Sequence, residues 1–384
     1  MRVLYLSRGY TTHDRRFVET LSRAGHLVGY LRLESEEPAL ERRSLPAGVR
    51  WLDRATSRVR FAAAALSDLV EGVKRVGEDF RPDIIHAGPV QTAALVAART
   101  KLGPLVTMSW GYDLLWDAPK SSESKATTRY VLAKSDALIV DCQAVARSAV
   151  SFGMNPARIV SFPWGVDVSF FSPPQDLERS QLRRRLGMDA PRGPTFWVIS
   201  TRTWETMYGV EILLDGFLKA THDDPSVGLI MIGDGSLASV LANRVAEAGA
   251  RERVRFPGRM EPRRVRDYFR ASDLYLSASR TDGASVSLLE AMGCGIPSVL
   301  SNIPGNAEWV ASGEQGWLFA DGDAVALAST LRDSVAWLRN NPEAAREMGE
   351  AARYVVLERA DWNRNAPQLF EAYRIAIGSG ASSG

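Results

Sequence analysis

A chain of 384 residues is long for one hydrophobic core, so two domains are expected. The 45% apolar and 24% charged residues are those of an ordinary soluble globular protein, and a formal charge of +2 excludes a large electrostatic footprint for nucleic acid. Only two cysteines, Cys142 and Cys294, are present, which excludes a disulfide framework or cysteine metal centre and fits a reducing cytoplasm.

The N-terminal "MRVLYLSRGY" reads as a strand rather than a signal peptide, and no apolar run reaches the roughly 18 residues of a membrane span. Short apolar runs follow, "RVLYLS", "HLVGYLRL", "DIIHAG", "LVTMSW" and "ALIVDC", separated by amphipathic stretches such as "RRFVETLSRAG". Near-continuous apolar strands alternating with helices predict a doubly wound parallel sheet. Gly9 ends the first strand and leaves room for a ligand, with His13, Asp14 and Arg15 as polar candidates just beyond it. The stretch 56–80 is helical with basic residues on part of its surface. It reads as a solvated helix covering the sheet, with weak contact to an anionic membrane as the alternative. His86 ends the strand run "PDIIHAG", and Trp110 and Asp113 follow the fourth strand in "SWGYDLL".

"FPWGVDVSFFSPPQ", rich in Pro, Gly and aromatics, predicts a hinge about Gly165. Beyond it the scheme repeats, with strands "TFWVIST", "VGLIMIG", "VRFPG", "LYLSAS", "PSVLS" and "GWLFA". The expected division is 1–165 for a first α/β domain and 166–360 for a second. A C-terminal helix pattern at 361–378 is placed to cross back, and 379–384 form a flexible tail. Two such domains define a cleft, and ligands of open α/β sheets bind outside the carboxyl ends of the strands.

In the second half "LYLSAS" runs into "RTDGASVSLLEAMG", which sets Asp282 eight positions before Glu290. Gly283 permits a tight turn, and Ser285 or Ser287 is placed to cap the helix. The first-turn amides of that helix lack intrahelical partners and attract phosphate or electron-rich hydroxyls. Glu290 lies about 6 Å further along the axis at 1.5 Å per residue, so the two carboxylates do not flank one bond as a glycosidase pair must. Two readings stand: a ligand-binding helix start, or a capped helix behind a solvated turn.

"DGASVSLLEAMGCGIPSVLSNIPGNAEWV" resembles the signature of the retaining glycosyltransferases of family 4. "FPWGVDVSFFSP" resembles their interdomain segment, with Trp164 where Asn is usual. "LIMIGDGS" and "VRFPGRM" resemble a strand turn and a base-contacting loop. The resemblance runs over nearly the whole chain and implies the α/β GT-B fold, two Rossmann-like doubly wound domains with an interdomain cleft. It also implies metal-independent transfer of a sugar, with retention, from a nucleotide diphosphate sugar, UDP-sugar favoured and GDP-sugar the second choice. The acceptor would be a small molecule, a glycan or a lipid-linked hydroxyl. No further cofactor is implied.

Residue by residue, the resemblance assigns Asp282, in place of the usual Glu, to sugar hydroxyls. Gly283, Ala284, Ser285 and Val286 would offer amides, Glu290 would hold ribose, and Gly258, Arg259 and Met260 would face the base. Arg202 would bind the diphosphate, but Tyr208 stands where a second cation, Lys, is usual. Trp110 takes the place of a His near the reacting centre, while Asp113 survives. That leaves Arg202, Asp282 and Asp113 as catalytic candidates, Gly9 on the donor, and His13, His86, Trp110 and Tyr208 on the acceptor side. Alternatives are a same-fold epimerase or hydrolase, a non-catalytic nucleotide-sugar binder, and an NAD-dependent oxidoreductase using "GDGSLA". "DGD" at 321–323 looks like a metal-binding D-x-D but reads as a turn or helix start.

Overall fold

The computed structural model describes residues 1–34, 41, 43–52 and 66–381. The chain divides into two compact units, Met1–Phe162 with Ala366–Gly384, and Pro163–Asn365.

The first unit is built on seven parallel strands: β1 (Arg2–Ser7), β2 (Leu27–Arg32), β3 (Val49–Trp51), β4 (Ile84–Gly88), β5 (Leu105–Met108), β6 (Ala137–Val140) and β7 (Ile159–Ser161). Their order is β3-β2-β1-β4-β5-β6-β7. Val3 to Leu6 and all of β6 have no exposed surface, as strands covered by helices on both faces must. The chain winds outward from β1 in one direction and from β4 in the other. The crevice of this sheet therefore opens at the carboxyl ends of β1 and β4, next to Gly9 and Val90. The three-residue strands β3 and β7 were not legible in sequence, because three residues carry no period.

The C-terminal pattern 361–378 is two helices, Trp362–Asn365 and Gln368–Ala381, broken at Pro367, which has no N–H to donate. The second packs on β5, β6 and β7 of the first unit through the buried row Leu369, Ala372, Tyr373 and Ala376. Of the basic stretch 56–80, residues 56–65 lie outside the described residues. The remainder is the helix Leu66–Phe80, with Leu69, Val73, Val76 and Phe80 buried. Tail residues 382–384 also lie outside. Among the described residues no helix is long and apolar enough to cross a membrane.

The second unit carries six parallel strands: β8 (Phe196–Ser200), β9 (Val227–Met231), β10 (Val254–Arg255), β11 (Leu274–Ser277), β12 (Ser298–Ser301) and β13 (Gly316–Phe319). Their order is β10-β9-β8-β11-β12-β13, so the winding reverses between β8 and β11. Its core joins Val198, Leu229, Leu276 and Val299 of the sheet to Leu213, Phe217 and Leu331 of the covering helices. Where the chain enters this unit, Val166 N donates to Ala360 O at 2.8 Å and Trp362 N to Val166 O at 3.0 Å.

Candidate active site

In the second unit the reversal point is occupied by the residues just past β8 and β11. Arg202 leaves β8 and is only 8% exposed. A buried guanidinium is costly unless paired and hydrogen-bonded, and this one is both. Its Nη1 donates to Ser285 Oγ at 2.8 Å, its Nη2 pairs with Asp282 Oδ2, and its Cζ sits 4.3 Å from the Tyr208 ring centroid. Burial works against the cation, but Asp282, with Tyr275 and Tyr208, holds its pKa above the usual arginine range. Burial pushes the Asp282 carboxyl up, and Arg202 and Ser285 pull it back.

The Asp282 turn leads directly into the helix Val286–Gly293. Ser285 holds the N-cap position, yet no side chain caps this helix. The expected cap is corrected: the Ser285 hydroxyl accepts from Arg202, and Ser287 Oγ donates to Thr201 O at 3.0 Å. Both hydroxyls have been drawn to the β8 exit by stronger or nearer partners. The helix start therefore keeps its orphan amides and its positive dipole end. Glu290 is half-buried between Leu289 and Ala291, which are fully buried. Its charge reaches the Tyr275 hydroxyl and the Cys294 thiol, both pushed up mainly by burial and further by Glu290.

Tyr208, an acceptor-side candidate in the sequence, lies under Arg202. Arg259 is exposed, Gly258 and Met260 are half-buried, and Gly258 has a φ of +77°. The "GDG" turn after β9 is committed elsewhere. A Cβ at Gly233 would meet Arg202 O at 2.2 Å, and one at Gly235 would meet Trp204 O at 2.5 Å. The close approach these glycines allow is taken up by the chain's own Arg202–Trp204 segment rather than by a pyrophosphate. In "DGD", Asp321 pairs with Arg280 at 3.1 Å and Asp323 caps the helix Ala324–Asn340.

In the first unit Gly9 O accepts from Ser7 Oγ at 2.7 Å and from Tyr30 Oη at 2.8 Å. Among the described residues a Cβ at Gly9 would meet nothing within 4 Å, so none of them demands glycine there. Asp14 is wholly buried and closes a capping box with Thr11. That hydrogen bonding, together with Tyr5 Oη at 3.1 Å, removes it from the polar candidates. His13 meets the Trp110 ring edge to face at 5.8 Å, and both are half-buried. Burial, then Arg16, lowers the His13 imidazole to about 3, so it is neutral at physiological pH.

Two candidates are corrected here. Asp113 is fully buried, and its carboxylate accepts from Ser109 Oγ (2.6 Å), Val90 N (2.9 Å), Trp110 N (3.1 Å) and Leu114 N (3.0 Å). It ties the exit of β5 to that of β4 and positions Trp110, with no edge left for a reacting atom. His86 is fully buried inside β4, where Nδ1 meets Tyr373 Oη at 2.9 Å. Its pleat direction, invisible in the run "DIIHAG", sends it into the core.

Sequence reading passed over Tyr275, which lies in the middle of β11 within electrostatic reach of Arg202, Asp282 and Glu290. It also passed over Tyr30, whose hydroxyl holds the Gly9 carbonyl. Each is an ordinary aromatic in a strand run, a position that signals only packing.

Residues 7–170 match the family described as Glycosyltransferase Family 4, and residues 191–355 match Glycosyl transferases group 1. The D-inositol 3-phosphate glycosyltransferase of Rhodococcus opacus is 28% identical over 268 residues, 68% of this chain and 58% of that protein. The chain thus spans under two thirds of that relative's length. A GDP-mannose-dependent alpha-(1-6)-phosphatidylinositol monomannoside mannosyltransferase of Mycolicibacterium smegmatis is 24% identical over 293 residues, 74% of each chain. Among solved structures, Anabaena HepE in complex with UDP-glucose superposes with a TM-score of 0.78 at 20% identity, covering 97% of this chain and 99% of that one. Sucrose-phosphate synthase of Thermosynechococcus elongatus does so with a TM-score of 0.80 at 19% identity, covering 99% and 100%. The fold is GT-B, and with both matches in chain order along the two units, the protein belongs to glycosyltransferase family 4.

Proposed function

We propose that the protein transfers a sugar from a nucleoside diphosphate sugar to an acceptor hydroxyl, with retention at the anomeric carbon. The observation that carries this reading is the buried Arg202 fork beside the uncapped start of the helix Val286–Gly293. Departure of a nucleoside diphosphate builds negative charge on its phosphates. An ionised guanidinium and orphan amides held in place before the reaction stabilise that charge without reorganisation. Removing one such donor costs roughly 10² to 10³ in rate.

In this reading Arg202 binds the diphosphate and the amides of Gly283, Ala284, Ser285 and Val286 meet the donor. Glu290, about one turn along the helix, accepts from the ribose hydroxyls. Gly258, Arg259 and Met260 face the base. In the first unit Gly9 leaves room for the donor, while His13 and Trp110 shape the acceptor side. The leaving phosphate is placed to take the acceptor's proton, so the enzyme chiefly positions and stabilises charge. UDP-sugar is the favoured donor, after the UDP-glucose bound by HepE, and GDP-sugar the second choice, after the GDP-mannose-dependent relative. The inositol phosphate and phosphatidylinositol mannoside in the relatives' names put a polyol, glycan or lipid-linked hydroxyl first among acceptors.

The test is calorimetric titration of the full chain with UDP, GDP, ADP and NAD, repeated on Glu290→Ala. Selective binding of one nucleoside diphosphate, weakened by ten-fold or more in the variant, supports the reading; ten-fold corresponds to about 1.4 kcal/mol. Binding of NAD alone, or nucleotide binding indifferent to Glu290, overturns it.

A further inference from the structure

Arginine recognises phosphate through the edge of a planar fork, so its usefulness depends on the orientation of that plane. A long side chain with several rotatable bonds does not hold one orientation unaided. At Arg202 three groups supply the constraint. The Tyr208 ring lies against the guanidinium at 4.3 Å, Nη1 is bonded to Ser285 Oγ at 2.8 Å, and Nη2 is paired with Asp282. The ring restrains the plane, and the two bonds restrain rotation within it.

The two walls of this arrangement are fastened together. Tyr208 ends the short helical turn Thr206–Tyr208, whose Met207 carbonyl accepts from Arg280 N at 2.9 Å, two residues before Asp282. A Cβ at Gly209 would lie 2.0 Å from Ala278 O, so only glycine lets the turn close on the β11 exit. Tyr208 also packs on the core of the second unit.

We propose that Tyr208 is a positioning residue which, with Asp282, clamps Arg202 so that one oriented guanidinium meets the diphosphate at this place. The proposal rests on the diphosphate reading of the site. A lysine in place of Tyr208 would set a second ammonium against Arg202. The neutral ring instead attracts the cation through its face. Asp282 then spends its carboxylate on Arg202 rather than on the donor's hydroxyls, which accounts for a short acid at this position. Of the five N–H donors of Arg202, two are used. The Nε–H is buried with no hydrogen-bond partner among the described residues, and each Nη keeps a second hydrogen. The second Nη hydrogens are the donors left for phosphate oxygens.

The clamp is read directly by arginine-selective 15N NMR of the full chain without nucleotide, with Arg202 assigned through Arg202→Lys. Restricted rotation about Nε–Cζ is expected to give separate Nη1 and Nη2 resonances in the wild type and in Tyr208→Phe, merged ones in Tyr208→Leu. Separate resonances in Tyr208→Leu, or merged ones in Tyr208→Phe, overturn the clamp. Should Tyr208→Leu fail to fold, Asp282→Asn, which keeps the shape and removes the charge, must merge the pair instead. UDP, or whichever diphosphate the wild type prefers, should bind about ten-fold more weakly to Tyr208→Leu and within two-fold of wild type to Tyr208→Phe. Equal binding by all three overturns the proposal. A wild type that binds no nucleoside diphosphate while its Nη resonances stay separate overturns the diphosphate reading and leaves the clamp standing.

Discussion

The Nδ1 atom of His86 lies 2.9 Å from the hydroxyl of Tyr373, 287 residues further along the chain. Both side chains are buried, so the bond locks the C-terminal helix onto the sheet of the first unit from inside its core. The ring edges of Tyr373 and Phe17 and the tilted ring of Tyr5 close around the imidazole.

Removing only the hydroxyl, in Tyr373→Phe, leaves the packing and strands a buried polar nitrogen. The expected cost is about 1 to 3 kcal/mol, read as a lower urea midpoint with an unchanged slope. A midpoint equal to wild type would show that the bond contributes nothing to holding the helix.

The same histidine sets part of the acid sensitivity. Burial lowers His86 to about 3, whereas the unfolded chain takes up the proton near 6.5. Between those values the unfolded state binds more protons, so stability is present at neutral pH and is lost as pH falls from about 6.5 toward 3. His13, also lowered to about 3, acts in the same sense. Asp14, raised to about 6, acts in the opposite sense between about 6 and 4. Comparison with His86→Gln isolates the histidine: its unfolding free energy should fall less steeply between pH 6 and 4 than that of the wild type. Parallel pH profiles would exclude His86 as a contributor.

Asp113→Asn exchanges one carboxylate oxygen for an amide donor in a pocket that presents four donors. At least one buried N–H or O–H is left facing another donor. A loss of about 2 to 4 kcal/mol follows, since hydrogen bonds to a charged group are worth more than neutral ones. The loss should appear as a lower Tm together with altered fluorescence from Trp110, whose backbone the carboxylate holds. An Asn variant as stable as the wild type would return Asp113 to the list of reactive groups.

Gly305 lies beneath the Asp282–Gly283 turn: a Cβ there would sit 2.4 Å from Asp282 O and 2.5 Å from Gly283 O. Both obstacles are backbone, so Gly305→Ala must displace the turn. The expected result is a stability cost of about 1 to 3 kcal/mol and nucleoside diphosphate binding weakened by about ten-fold. Retention of wild-type affinity would mean that the 282–283 turn does not contribute to the site.

Much of the architecture was legible because buried parallel strands are written as apolar runs. "RVLYLS", "FWVIS" and "LYLS" could hardly be read otherwise. Where the runs were three residues long, as in β3 and β7, nothing in the pattern distinguished them from loop. Pro367 was visible, yet the helical periodicity across it hid the break between Trp362–Asn365 and Gln368–Ala381. Within the site, Asp282 stood out as an acid in a glycine turn after a strand, Glu290 as a carboxylate inside an apolar helix run, and Arg202 through the resemblance to the family's phosphate-binding loop. Tyr208 stood out only by replacing a lysine, and Tyr275 not at all.

The sequence by itself determined the two α/β units, the family, and which charged residues follow which strands. The units and the placing of charges are local, depending on period, on turn residues and on spacing along the chain, while the family was carried by the resemblance of whole motifs. Which partner each charged group meets was decided only by tertiary structure. Asp113 and His86 follow or end apolar strands just as Arg202 and Asp282 do, yet the fold turns the first two inward, Asp113 onto four donors and His86 Nδ1 onto Tyr373, and brings the last two together at a strand reversal. Spacing places a carboxylate near a strand end. The surrounding backbone amides, hydroxyls and rings, drawn from distant positions in the chain, decide whether it stays available to a ligand.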